Sequence, residues 1–240
     1  MASISTKAIV LSSLKYGDSN LIIKCYTHAL GIKSYMLRGI LKAKKGGLKA
    51  AYFQPLTQLN ITANHKEKST LHFIKEVHVV NPYSTIHTTI VKQSIVIFLS
   101  EILASAIQEE ETNPNLYQYL EASFLWMDSN EKVHDFHLLF LLNLTKFLGF
   151  FPNIDHEETL GFHLVDGNFT NSIQEKNTIS GAPFKAFKRL LGMNFDTIEN
   201  LSFQKNERQV VLEIIIQYFK LQLDGFKQPK SITVLEKIFN

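Results

Sequence analysis

Thr70-Leu71-His72-Phe73-Ile74-Lys75-Glu76-Val77-His78-Val79-Val80-Asn81-Pro82-Tyr83 is the stretch on which the reading of the fold turns. Up to Val79 it has the pattern of a strand: Leu71, Phe73, Val77 and Val79 stand at odd positions, and His72, Lys75 and Glu76 largely fill the rest. A period of two belongs to a pleated strand with one face buried. Asn81-Pro82-Tyr83 ends that pattern. From Thr85 to about Gln108 apolar residues recur at Ile86, Ile90, Val91, Ile95, Phe98, Ile102 and Ala106, which is helical spacing.

Upstream of this switch the chain reads as β. Lys7–Leu14, Asn20–Tyr26, Lys33–Arg38 and Thr57–Thr62 are rich in β-branched and aromatic residues and are separated by turn signals such as Tyr16-Gly17-Asp18-Ser19. Five short strands in about 75 residues, with one long basic excursion between the third and fourth, suit a small closed barrel of OB type, because closure removes exposed edges. Downstream the chain reads as α. Asn113-Pro114 starts a helix to about Met127, Glu131–Leu148 is apolar enough to be central and stops at Gly149, Ser180 and Pro183 open a helix through Leu191, Ser202 opens one ending near Gly225, and Ser231–Phe239 closes the chain. Gly161–Thr170 reads as a hairpin on the Asp166-Gly167 turn, inserted at about 152–180. The expected fold class is therefore α+β and multi-domain: a five-stranded OB-type barrel over residues 1–80, then an all-helical domain over 81–240 with a small hairpin insertion.

Composition sets the outer limits. With 240 residues, 45% hydrophobic and 20% charged, the chain is an ordinary globular protein rather than a disordered, collagenous or coiled-coil one. Cys25 is the single cysteine, which excludes a disulfide framework and a Cys-rich zinc knuckle. Met1–Lys7 lacks the apolar core of a signal peptide, and no apolar run exceeds the five residues of Ile95–Leu99, far too few to span a membrane. A soluble, cytoplasmic protein with no membrane partner is expected. The net charge of +3 conceals an asymmetry: residues 1–80 carry 12 Lys+Arg against 3 Asp+Glu, residues 81–180 carry 4 against 13, and residues 181–240 carry 9 against 6. The basic first third suits a polyanion.

The sharpest local feature is Arg38-Gly39-Ile40-Leu41-Lys42-Ala43-Lys44-Lys45-Gly46-Gly47-Leu48-Lys49, five cations in 12 residues with no acid. A flexible basic loop on a barrel can follow a phosphate backbone, since counterion release rewards Lys and Arg whatever the base sequence. Tyr26, Tyr35, Tyr52 and Phe53 are aromatics that would supply base stacking. The same residues also fit a plain solvated loop over a core that holds those aromatics. Lys33, Arg38, Lys42, Lys44, Lys45 and Lys49 are the candidate nucleic-acid contacts. Gly46-Gly47-Leu48-Lys49 lacks the Ser or Thr of a phosphate-binding loop, so ATP hydrolysis is not expected. No residue pattern supports catalysis, and no cofactor is expected. His134 with His137, and His156 with His163, lack the further ligand that would make a metal site, and Cys25 reads as a small core residue. Lys185, Lys188 and Arg189 share one helical face beside Phe184 and Phe187; the set fits either an acidic peptide with an aromatic end or simple helix solvation.

Lys7-Ala8-Ile9-Val10-Leu11, Tyr16-Gly17-Asp18-Ser19, Thr27 and Gly31, Leu37-Arg38-Gly39, the basic loop, Leu48-Lys49 and Gln54-Pro55-Leu56 follow one another in an order and spacing that resembles the RecO-type recombination mediators. Weaker echoes continue at Leu99–Leu103, Phe147-Leu148-Gly149-Phe150 and Lys230-Ser231. The resemblance implies an OB barrel followed by a helical domain, binding to single- and double-stranded DNA, annealing of complementary strands and loading of the RecA recombinase. The partners it implies are RecR and the acidic C-terminal tail of the single-strand-binding protein SSB. It places the DNA-contact role on Arg38, Lys42, Lys44, Lys45 and Lys49. Many members of that family carry a four-cysteine zinc site in the insertion; residues 152–180 here contain no cysteine, so that site cannot exist. A protein-binding adaptor without nucleic acid, and an OB-fold protein acting on RNA, are the readings from other classes.

Overall fold

The computed structural model describes residues 2–42, 49–65, 69–108, 111–153, 159–198 and 201–239. Ala2–Tyr16 (β1), Asn20–Thr27 (β2), Gly31–Leu37 (β3), Gln58–His65 (β4) and Leu71–Val79 (β5) close into a barrel in the order β1-β2-β3-β5-β4. β3 and β5 run parallel and the other neighbours antiparallel. This is the OB-type barrel expected from the pattern. β1 is longer than the sequence suggested because one strand serves two partners. Its first half pairs with β4 and its second with β2, and a bulge between Val10 and Ser12 lets it bend from one to the other. Ala8 and Val10, Leu21, Ile23 and Cys25, Tyr35 and Leu37, and Leu59, Ile61 and Ala63 fill the interior at every second residue.

The alternation of β5 departs from expectation. Ile61 faces Val77 and Thr62 faces Glu76, but Ala63 faces Ile74, so Lys75 is an extra residue in the ladder. That bulge reverses the face of the strand's first half. His72 therefore turns inward at 5% exposure, and Phe73 turns outward at 37%.

By its internal contacts the chain divides into two compact units, Met1–Ser129 and Asn130–Asn240. The first holds the barrel together with α1 (Ile90–Ala106) and α2 (Pro114–Ser129). Both helices are tied to the barrel by polar contacts: Lys24 Nζ donates to the Ala104 carbonyl at 2.9 Å, Tyr26 Oη to the Asn113 carbonyl at 3.1 Å, and Lys7 Nζ lies 3.0 Å from Glu121 Oε1. α1 begins at Ile90 rather than Thr85 because Asp128 claims the preceding turn. Its carboxylate accepts from the backbone N–H groups of Ser84, Thr85 and Ile86 at 2.8–2.9 Å. Asn113 caps α2 as its sequence implies, accepting from the Leu116 N–H at 3.0 Å.

The second unit contains α3 (Phe136–Phe147), α4 (Gly181–Lys188), α5 (Lys205–Gln222) and α6 (Ile232–Ile238). Phe136, Leu138, Leu139, Phe140, Leu141, Leu142 and Leu144 are all buried, so α3 is the apolar-all-round central helix that its composition suggests. The expected hairpin, β6 (Gly161–His163) with β7 (Asn168–Thr170), gains a third strand: β8 (Thr178–Ser180) pairs along the other edge of β6. Phe162 lies in the middle strand, and its ring centroid is 5.3–5.6 Å from those of Phe169, Phe187 and Tyr218. Gly167 has φ +67, and a Cβ there would meet Tyr218 Oη at 2.8 Å, so the turn admits no side chain.

Candidate nucleic-acid interface

The basic segment leaves β3 at Arg38 and is pinned at both ends to the same barrel core. Ile40 (7% exposed) and Phe53 (1%) both enter that core. The first turn is also clamped to the β1–β2 connection, since Gly39 N–H donates to Asn20 Oδ1 at 2.9 Å and Leu41 N–H to the Ser19 carbonyl at 3.0 Å. Gly39 sits at φ +67, a conformation that suits glycine. Arg38, Lys42 and Lys49 are exposed, while Lys44 and Lys45 lie outside the described residues. The barrel cations Lys7 and Lys24, by contrast, are engaged with groups on α2 and α1, respectively. Exposed Lys15 on β1 and the bulge residue Lys75 on β5 add to the cationic surface; neither stands in the basic run, so no sequence pattern singles them out.

Lys33 is placed apart from Arg38. It shares the inward parity of Tyr35 and Leu37 and is half-buried at the start of β3, where Cys25 is its register partner. At that end of the barrel the His65 and His72 rings are 4.4 Å apart, and Tyr35 Oη lies 3.2 Å from His65 Nε2. Burial, reinforced by His72, holds His65 below the ordinary histidine range.

The aromatics near the loop take the core reading. Tyr26, Tyr35 and Phe53 are at most 1% exposed, and Tyr52 packs partly buried against the barrel core. Phe73, by contrast, reaches the surface beside the loop. The Arg38 guanidinium lies 4.7 Å from its ring centroid, within cation–π range. Met36, Leu37, Arg38, Gly39, Ile40, Phe73 and Ile74 line a groove of about 380 Å³. Residue alternation places Phe73 inside the barrel; only the bulge at Lys75, which leaves no mark in composition, brings it out.

In the second unit Lys185 is exposed, Lys188 is half-buried with its Nζ 5.7 Å from the Phe169 ring centroid, and Arg189 is engaged. Arg189 Nη1 is 3.3 Å from Glu207, Nη2 donates to the Ser202 carbonyl at 3.0 Å, and the guanidinium covers the Phe203 ring at 4.6 Å. Phe184 and Phe187 are 5% and 0% exposed and hold α4 against the small sheet. Ser202 also lines a recess of about 220 Å³ with Lys132, His134, Asp135, Ile198, Leu201 and Arg208.

Among the described residues no group of three or more His, Cys, Asp or Glu is placed to hold a metal ion, and none of the helices is long and apolar enough to cross a membrane. Cys25 is fully buried in the barrel. A single cysteine does not fit the four-cysteine zinc site that the resemblance includes, and the aromatic cluster around Phe162 supplies a core to the 152–180 region.

Two family models match the chain: Recombination protein O N terminal over residues 1–83, and Recombination protein O C terminal over residues 87–231. The chain is 43% identical over 236 residues to the DNA repair protein RecO of Christiangramia forsetii, an alignment covering 98% of this chain and 99% of the relative. It is 43% identical over 242 residues to the RecO of Flavobacterium psychrophilum, covering 99% of each. To the RecO of Bacteroides fragilis it is 34% identical over 239 residues, covering 98% of each. These matches extend through the barrel, its basic segment and the helical region, and the chain belongs to the RecO family of DNA repair proteins.

Proposed function

We propose that the chain is a cytoplasmic, non-enzymatic DNA-binding mediator of recombinational repair that anneals complementary strands and helps load RecA onto SSB-coated single strands together with RecR. The observation that carries this reading is the division of labour among the barrel's cations. Lys7 and Lys24 are engaged with the helical segments of their own unit, whereas Arg38, Lys42 and Lys49 stand exposed on a segment anchored at both ends. Cations placed this way neutralise phosphates on either of two strands and so lower the repulsion that opposes pairing. DNA contact is assigned to the barrel, residues 1–80, through Arg38, Lys42, Lys44, Lys45 and Lys49, with Lys33 as an outlying contact.

The acidic tail of SSB is assigned to Lys185, Lys188 and the neighbouring Arg189. Because Phe184 is buried, the apolar end of that tail has to be met elsewhere, and the recess at Ser202 offers Ile198 and Leu201 beside cationic Lys132 and Arg208.

Replacing Lys42, Lys44 and Lys45 together by alanine tests the loop. Affinity for single and double strands is expected to fall alike for all base sequences, with a shallower salt dependence. A triple variant with unchanged affinity at low salt removes the loop from the mechanism, and a wild-type chain that binds protein partners but no DNA favours the adaptor reading.

A further inference from the structure

We propose that Phe73, with Arg38 over its face, is the platform on which an unpaired base of single-stranded DNA stacks, and that it sets the barrel's preference for single strands over duplex. The inference rests on the DNA-binding reading above and specifies which strand state the barrel favours.

An exposed phenylalanine is unremarkable by itself. Three observations at this one carry the argument. The bulge at Lys75 turns Phe73 out of the barrel, whereas an unbroken ladder keeps it on the face of Val77. The ring then lies at a groove of about 380 Å³, within the range of small-ligand clefts, with Met36 and Ile74 as its apolar walls. The cation on its face, Arg38, is also the first member of the basic segment, so the groove opens where phosphates are expected to run.

The chemistry of these groups suits an unpaired nucleotide. A base offers a flat π-face that stacks on an aromatic ring whatever its identity. A guanidinium stacks through its plane and still directs N–H donors from its edge towards a phosphate. Gly39, next in sequence, has open space where a side chain would stand, so a sugar and phosphate can approach the backbone. In duplex DNA each base is stacked on its neighbours and presents no free face, so Phe73 gains nothing from it while the cations act on both forms.

The test is the ratio of single- to double-strand affinity, read by fluorescence anisotropy on the full chain with labelled 30-mers at one salt concentration. Phe73→Ala and Phe73→Leu are expected to lower that ratio by about 10- to 100-fold, the range found for loss of a base–aromatic stack, and Phe73→Tyr to restore it. Lys42→Ala is expected to weaken both forms and leave the ratio in place. Leucine keeps apolar bulk without a ring, so a Phe73→Leu chain with the wild-type ratio overturns the stacking platform, as does a Phe73→Ala chain that loses both forms equally. A wild-type chain that binds neither form in a salt-dependent way overturns the underlying DNA reading instead.

Discussion

Arg208 Nε donates to Asp135 Oδ1 at 2.7 Å, and the two side chains are only 14% and 8% exposed. The pair ties the start of α3 to α5 inside the second unit. Arg208 also donates to the Phe203 carbonyl at 2.9 Å, so the guanidinium holds the entry to α5 as well as the carboxylate. Removing one partner of a buried pair leaves a charge without compensation. Arg208→Met is expected to destabilise the chain by about 3–5 kcal/mol, and the double variant Asp135→Leu/Arg208→Met to regain part of that loss. Urea denaturation of the three chains checks this; a single variant within 1 kcal/mol of wild type, an order-of-magnitude threshold of about the size of one ordinary hydrogen bond, contradicts it.

His137 gives the second unit an acid limit. Its imidazole is 0% exposed and stacked on Phe239, with centroids 5.3 Å apart. Burial, then the nearby charges of Arg208 and His134, push its pKa down to about 3. In the unfolded chain it returns to 6.5, so on acidification the unfolded state takes up the proton first. The stability tied to the neutral ring is full above pH 6.5 and is lost as pH falls from there towards 3, by at most roughly 1.4 kcal/mol per pH unit. Urea midpoints at pH 7.5, 6 and 5 are expected to fall, and to fall less steeply in His137→Leu. Equal slopes in the two chains contradict the assignment.

Asp128 sets a lower limit in the first unit. Burial alone raises its pKa, but the N–H groups of Ser84, Thr85 and Ile86 and the Thr85 hydroxyl outweigh this and hold it below 3.8. Its contribution is present above that value and is lost as pH falls through the lower folded value. Asp128→Ala is expected to cost about 2 kcal/mol, because it strips acceptors from the turn that leads into α1. Amide exchange is expected to accelerate at Ser84, Thr85 and Ile86; unchanged exchange at these three contradicts the capping role.

The barrel was legible because its strands alternate and its turns carry Gly and Asp in the open, and because the basic run is contiguous. What escaped the sequence was whatever depends on register. The face reversal of β5 is caused by a single extra residue, Lys75, whose neighbours keep the same composition with or without the bulge. By alternation Phe73 therefore counts as inside, while Tyr26, Tyr35 and Phe53, which fill the core, read from sequence either as stacking groups or as core. β8 escaped for a related reason: Thr178-Ile179-Ser180 is three residues long and half-buried throughout, too short to show a period. The cationic face of α4 was legible from its i, i+3, i+4 spacing, but the engagement of Arg189 with Glu207 and Ser202 is a tertiary fact that spacing does not contain.

The central claim is that the exposed cations of the barrel bind the phosphate backbone of DNA. The most direct measurement is the affinity of the full chain for a labelled 30-mer single strand across a series of salt concentrations. With about four phosphate contacts, log affinity is expected to fall with log salt with a slope near −3, from about −0.7 per contact. A flat salt response, or no binding even at low salt, contradicts the account.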